Sequence, residues 1–177
     1  MPKVAVKNIV RVACALSILG ITPAFALEHI RSYVPEAEQV GQGRLTYLFW
    51  DVYDATLYAP KGAWTKEKPF ALQLSYLREI EGKQIADRSV VEMRDLGITD
   101  EIKLATWHSQ MRRIFPNVND GISLTGVYTG KGDTIFYLGD VQIGRIEDPE
   151  FSNAFFKIWL DENTSSPDLR KKLLGEL

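Results

Sequence analysis

Side chains that ionise, attack or coordinate are sparse in this chain. The histidines are His29 and His108 and the single cysteine is Cys14. Neither histidine has a second histidine or a carboxylate at metal-ligand spacing, so both read as surface residues and no metal site is expected. His29 falls near a chain end, where mobility is the rule. His108 follows Trp107 but lies off the apolar stripe, and reads as half exposed. There is no Gly-x-Ser-x-Gly elbow and no glycine-rich phosphate loop ahead of a helix. Gly41-Gln42-Gly43 is too short for a dinucleotide fingerprint and leads into a strand, where a bulge or a close backbone approach explains it better. No cofactor is expected.

One pair stands out. Arg44 and Tyr53 lie on consecutive extended segments that a bend would fold against each other. A guanidinium fork and a phenol at the end of an apolar cavity suit a carboxylate, because together they supply several hydrogen-bond donors. Asp51 and Asp54 interrupt the same apolar region. They read as a turn and a strand edge, or alternatively as partners of Arg44 or Arg78 in an ion pair facing a cavity.

The elements that must position these residues follow from periodicity. Leu45 to Tyr58 is rich in β-branched and aromatic residues, and its length predicts two strands with a bend near Phe49-Trp50-Asp51. From Pro69 to Tyr76, Phe70, Leu72, Leu74 and Tyr76 alternate with smaller or polar residues, the pattern of a strand with one buried face. Ile85, Ser89, Met93 and Leu96 recur at helical spacing and Gly97 ends that helix. Thr99 is the expected cap of the next, whose stripe is Leu104, Trp107, Met111 and Ile114. Three strands, 122–128, 134–138 and 141–145, are joined by turns at Lys131-Gly132-Asp133 and Gly139-Asp140. Asp148-Pro149 opens a helix to Leu160, and Ser166-Pro167 opens a last one ending near Gly175. The helix to Leu160 is apolar most of the way round, with Phe151, Phe155, Ile158 and Trp159 on one face. It is wedged between layers or lines a cavity, and burial alone is the simpler account. Strands, helices, strands and helices joined by hairpins predict an α+β fold, an antiparallel sheet with helices packed on one face.

The first 26 residues read as a secretory signal peptide. Lys3, Lys7 and Arg11 precede an apolar run from Val12 to Ile21, and Ala24-Phe25-Ala26 supplies small residues before a cut at Leu27. A membrane anchor is the alternative, but Thr22-Pro23 cuts the run short of the ~20 residues a span needs. Arg11 stands where a lipoprotein box wants leucine, which argues against lipidation at Cys14. Removing this segment leaves 151 residues, 18 basic and 23 acidic, with a net charge of −5 and no cysteine. That is one domain, 27–177, held by packing rather than disulfides. Its charge does not recruit nucleic acid, and no further stretch is long enough for a stable membrane span.

The stretches Val40-Gly41-Gln42-Gly43-Arg44, Val52 to Tyr58, Gly82 to Gly97, Phe155 to Leu160 and Ser166-Pro167-Asp168-Leu169 carry a resemblance. Their order and spacing are similar to those of the chalcone isomerase superfamily, in particular its bacterial chalcone isomerase-like branch, over nearly all of Val40 to Leu177. The resemblance implies a large antiparallel sheet with helices on one face. The plant enzymes hold a phenolic oxygen and a carbonyl with an arginine, a threonine, a tyrosine, an asparagine and a late hydroxyl residue. By this resemblance those roles fall on Arg44, Tyr53, Ile85, Glu92 and Lys157. Only the arginine is kept. Ile85 has no hydroxyl, and Glu92 would repel a phenolate. Non-catalytic relatives in the superfamily bind fatty acids through an arginine and a tyrosine, which Arg44 and Tyr53 resemble.

The expectation is therefore a secreted, non-catalytic protein, periplasmic in a Gram-negative source, binding a fatty acid or similar amphipathic carboxylate between sheet and helices. Arg44 and Tyr53 would hold the carboxylate, and Tyr47, Phe49, Ile85, Phe155 and Trp159 would form walls. Two alternatives are an isomerase or intramolecular lyase using Glu92 or Lys157 as acid or base, and a partner-binding protein with no small ligand.

Overall fold

A computed structural model describes residues 28–177. The expectations for residues 1–26, including Cys14, lie outside the described residues. Six strands form one antiparallel sheet in sequence order: β1 (Ala37–Tyr47), β2 (Trp50–Pro60), β3 (Phe70–Tyr76), β4 (Ser123–Tyr128), β5 (Thr134–Leu138) and β6 (Val141–Ile146). The helices are α1 (Glu28–Arg31), α2 (Gly82–Asp95), α3 (Glu101–Ile114), α4 (Pro149–Leu160) and α5 (Pro167–Leu173).

The alternation foreseen in β3 sets the layers. Phe70, Leu72, Leu74 and Tyr76 join Ala55, Leu57, Leu124, Phe136 and the buried faces of α2 to α5 in the main core. The opposite residues, Ala71, Val127, Ile135 and Tyr137, form a smaller cluster covered by Ile30 and Val34 of the N-terminal segment. The fold is α+β with α2 to α5 on one face, and α1 touches the other. His29 is thus not a loose terminal residue. Its ring packs on Tyr137 at 4.7 Å between centroids, because the segment from Glu28 crosses this second face.

Three local expectations shift. β1 begins at Ala37, so the glycines of residues 41–43 lie inside a strand. They are tolerated because a register shift separates Gln39 from Gly41, and because α5 packs directly on them. The β1–β2 turn is Leu48-Phe49, one to two residues earlier than the sequence suggests, with Tyr47 facing Trp50 and Leu48 at φ 57°. The cap of α3 is Asp100 rather than Thr99, because its carboxylate accepts from both Ile102 N (3.1 Å) and Lys103 N (3.0 Å).

α4 is wedged as its pattern implied. Asp148 caps it, accepting from Glu150 N (2.9 Å) and Phe151 N (3.2 Å), and Pro149 fills the first helical position. The Trp107 indole also donates to Asp148, tying α3 to the start of α4. Burial pulls the Asp148 carboxyl up, but these hydrogen bonds and the charge of Lys103 outweigh it and hold its pKa below the usual range. Phe151 and Phe155 stack at 5.4 Å, and Phe155 meets Phe136 edge to face at 5.3 Å, the offset geometries that ring quadrupoles favour.

Candidate functional site

The β1–β2 ribbon places Arg44 and Tyr53 on neighbouring strands, where Leu45 is opposite Tyr53 and Arg44 opposite Asp54. Adjacent residues of a strand point to opposite faces. Tyr53 therefore faces the helices, whereas Arg44 faces outward, and the two do not converge on one ligand.

Arg44 has other company. Its guanidinium donates to both Asp54 oxygens (2.7 and 2.9 Å) and to Asp51 (2.8 Å), and Thr46 donates to Asp51 at 2.8 Å. Asp51 and Asp54 are three residues apart, so a regular strand would turn them to opposite faces. A bulge at Val52, where the register slips between Leu45 and Thr46, restores them to the same face. The ion pair open from the sequence exists, and it is about half exposed to solvent on the outer face of the ribbon. The Thr46 hydroxyl and the Arg44 guanidinium hold the Asp51 carboxyl below the usual carboxylate range.

On the helix side, Tyr53 accepts a hydrogen bond from Trp159 Nε1 at 2.8 Å and meets Tyr76 edge to face at 5.8 Å. The ring keeps some exposure but the hydroxyl is enclosed. Burial pushes its pKa well above the ordinary tyrosine value, against the opposing Trp159 hydrogen bond. Glu92 is buried in α2, paired with Arg88 and accepting from Ser165 Oγ at 3.0 Å. Ile85 packs at the edge of the core, and Phe155 and Trp159 are buried within it. Five of the nine residues singled out from the sequence, Tyr53, Ile85, Glu92, Phe155 and Trp159, thus belong to the sheet–helix core. Tyr47 and Phe49 lie at the exposed hairpin tip, 64% and 95% accessible.

The ninth, Lys157, borders a cleft of about 640 Å³ at the other end of the sheet. Phe70, Tyr128, Phe156, Leu160 and Trp64 supply its apolar wall. Phe156 meets Phe70 at 4.7 Å and Tyr128 at 6.5 Å, so this wall is the margin of the aromatic core. Lys66, Lys157 and Arg170 bring positive charge to the rim, and Asp161 and Glu162 bring negative. Lys157 Nζ is 3.7 Å from Asp161, and Arg170 donates to the Leu160 carbonyl at 3.0 Å. The volume lies within the ~300–1,000 Å³ of small-molecule sites. Arranged in this way, the cleft can take an apolar chain along the rings and an anionic head at the lysines. Sequence reasoning missed it because its wall is drawn from distant segments. The one available signal was Trp64, a large aromatic residue in the loop after β2.

Comparison with known proteins agrees with this architecture. The chain is similar to the crystal structure of an Arabidopsis thaliana fatty-acid binding protein, with a TM-score of 0.62 and 10% identity, covering 80% of this chain and 88% of that one. At that identity the likeness speaks for the fold. It is also 28% identical over 141 residues to an uncharacterized protein of Haemophilus influenzae, covering 78% of this chain and 68% of the relative. A family profile described as chalcone isomerase-like matches residues 40–175, and the chain belongs to the chalcone isomerase-like family.

Proposed function

We propose that this protein is an exported, non-catalytic member of the family that binds a fatty acid or similar amphipathic carboxylate. The observation that carries the reading is the cleft at the Phe70–Tyr128 end, where an apolar wall meets the ammonium groups of Lys66 and Lys157. The fatty-acid-binding protein of similar fold supports the ligand class. The leader-like first 26 residues support export, to the periplasm in a Gram-negative source. Relative to the sequence expectation, the ligand class is unchanged but its seat moves from Arg44 and Tyr53 to Lys157 and its neighbours.

The rival isomerase or lyase reading draws on Glu92 or Lys157 as acid or base, and Lys157 at the cleft stands 3.7 Å from Asp161. Glu92 is buried and committed to Arg88 and Ser165, so a structural role accounts for it.

Native mass spectrometry of the exported chain is expected to show a polypeptide beginning at Leu27 with a lipid carboxylate bound. Titration with a panel of fatty acids gives the quantitative test. Lys157→Ala is expected to weaken binding by up to roughly tenfold, the low end for a charge-assisted bond because Lys157 is half exposed. Asn153→Trp, which adds bulk at the exposed side of the cleft, is expected to abolish it. Absence of binding by the wild type, or undiminished binding by both variants, would sink the proposal.

A further inference from the structure

At the end of the sheet away from the cleft, the β1–β2 hairpin turns through Tyr47-Leu48-Phe49-Trp50. These four consecutive residues are 64%, 74%, 95% and 65% exposed. Four large apolar side chains in a row at a hairpin tip cost solubility, and an exposed patch of this kind marks an interaction site. We propose that this tip is a membrane-docking finger that inserts into the interfacial region of a lipid bilayer.

Four features of the tip select a bilayer over a protein groove. The first is its chemical order. Leu48 and Phe49, with no polar atom in their side chains, form the turn itself, and Tyr47 and Trp50 flank them. Tyr and Trp have apolar bodies and polar tips and settle at headgroup depth, so the sequence of side chains matches the gradient of an interface.

The second is projection. The last contacts between β2 and β3 are the Tyr53–Tyr76 pair and the hydrogen bond from Leu77 N to Val52 O at 3.0 Å. Beyond Val52 the ribbon runs on past its pairing with β3, an overhang of about 10 Å at strand rise, with the Arg78 side chain lying against Trp50 at its base. Interfacial elements bury themselves ~5–10 Å into the headgroup and acyl boundary. The overhang therefore reaches that depth while the body of the sheet stays outside.

The third is the collar. Behind the tip stand Arg44, Asp51, Asp54 and Arg78, two charges of each sign. Arg44 is paired with both aspartates, and Arg78 lies over the Trp50 ring at 5.5 Å. The collar carries no excess of positive charge, and Asp120 and Asp140 add negative charge beside Ile122 and Val141. The chain as a whole is acidic, so recruitment by anionic lipid is disfavoured and a zwitterionic surface is the better match.

The fourth is the company at the same end of the sheet. Ile122 just before β4 and Val141 at the start of β6 are also exposed, at 37% and 62%. Ile122 and Val141 thus add apolar exposure to the end that would face the membrane. The described chain enters the ribbon from the other direction, since Ala37 pairs with Pro60.

This inference stands independently of the cleft. The experiment is co-sedimentation of the exported chain, beginning at Leu27, with phosphatidylcholine vesicles, comparing the wild type with the Leu48→Ser, Phe49→Ser double variant. Both positions are solvent-exposed, and an unchanged melting curve verifies the fold. The expected result is vesicle binding by the wild type that is insensitive to salt and is weakened about tenfold or more in the variant. A blue shift of tryptophan emission is expected on binding, because Trp50 leaves water. Absence of vesicle binding by the wild type, or equal binding by both proteins, overturns the proposal. So does a dimer in analytical ultracentrifugation that the double substitution dissolves while vesicle binding is unaffected, which would assign the tip to a second copy of this chain.

Discussion

The two faces of the β1–β2 ribbon are built from alternate residues of the same strands and have opposite characters. On the helix side, Gly41, Gly43 and Tyr53 meet α5 and α4 at close range. On the outer side, Arg44, Asp51 and Asp54 form a solvated ion cluster. The lesson is that similar polar chemistry has different value according to what surrounds it. A hydrogen bond sealed between layers is costly to break, whereas a charge cluster in water is screened.

Gly41→Val should separate the two faces most sharply. A Cβ at Gly41 would fall on the Lys172 carbonyl, with the Leu173 carbonyl oxygen 2.6 Å away, and both are backbone atoms of α5 that cannot rotate aside. The expected loss is about 1–3 kcal/mol or more, read from urea denaturation, with α5 displaced from β1. A stability equal to wild type would mean that α5 is not docked on the ribbon as described.

Tyr53→Phe is the intermediate case. It keeps the ring against Tyr76 but leaves the Trp159 indole N–H without its acceptor in a largely buried place. About 1–3 kcal/mol should be lost in the same measurement, with fatty-acid affinity unchanged if the cleft is the ligand site. A selective loss of affinity would instead return the ligand to Tyr53.

Arg44→Ala should do least. Its partners are exposed and screened, so the unfolding midpoint in physiological salt is expected to match wild type, and ligand titration should be unaffected. The pH dependence has a definite sign. Because the Asp51 carboxyl titrates below its unfolded value of about 3.9, the cluster's contribution is complete above that pH and is lost as pH falls further. Deleting Arg44 should flatten this acid limb slightly. A large change at neutral pH would contradict the solvated reading of the outer face.

Much of the architecture was legible before any coordinates. Asp148-Pro149 and Ser166-Pro167 mark helix starts, Leu104, Trp107 and Met111 of the α3 stripe are buried with Ile114 partly so, and the Phe70–Tyr76 alternation gives the inward face of β3. The glycines of residues 41–43 signal a bulge or a close approach, and both occur. The pairing of Arg44 with Tyr53 went astray for a specific reason. A bend brings their strands together, which in the sequence makes the two residues neighbours, but neighbouring strands offer two faces. Register chooses between them, and the Val52 bulge then sets which aspartates share the Arg44 side.

The sequence by itself determined what depends on short-range periodicity, chain stiffness and local hydrogen bonds: the main strands and helices, their order, the proline-marked starts of α4 and α5, the buried stripes and hence the α+β class. Only the tertiary structure decided what depends on register and on contact between distant segments. It turned Arg44 outward and Tyr53 inward, drew Trp64, Phe70, Tyr128, Phe156 and Leu160 into one cleft, and left the Tyr47–Trp50 turn projecting past the sheet. The physical reason is that a one-residue slip in pairing costs little locally yet exchanges every side chain between the core and water.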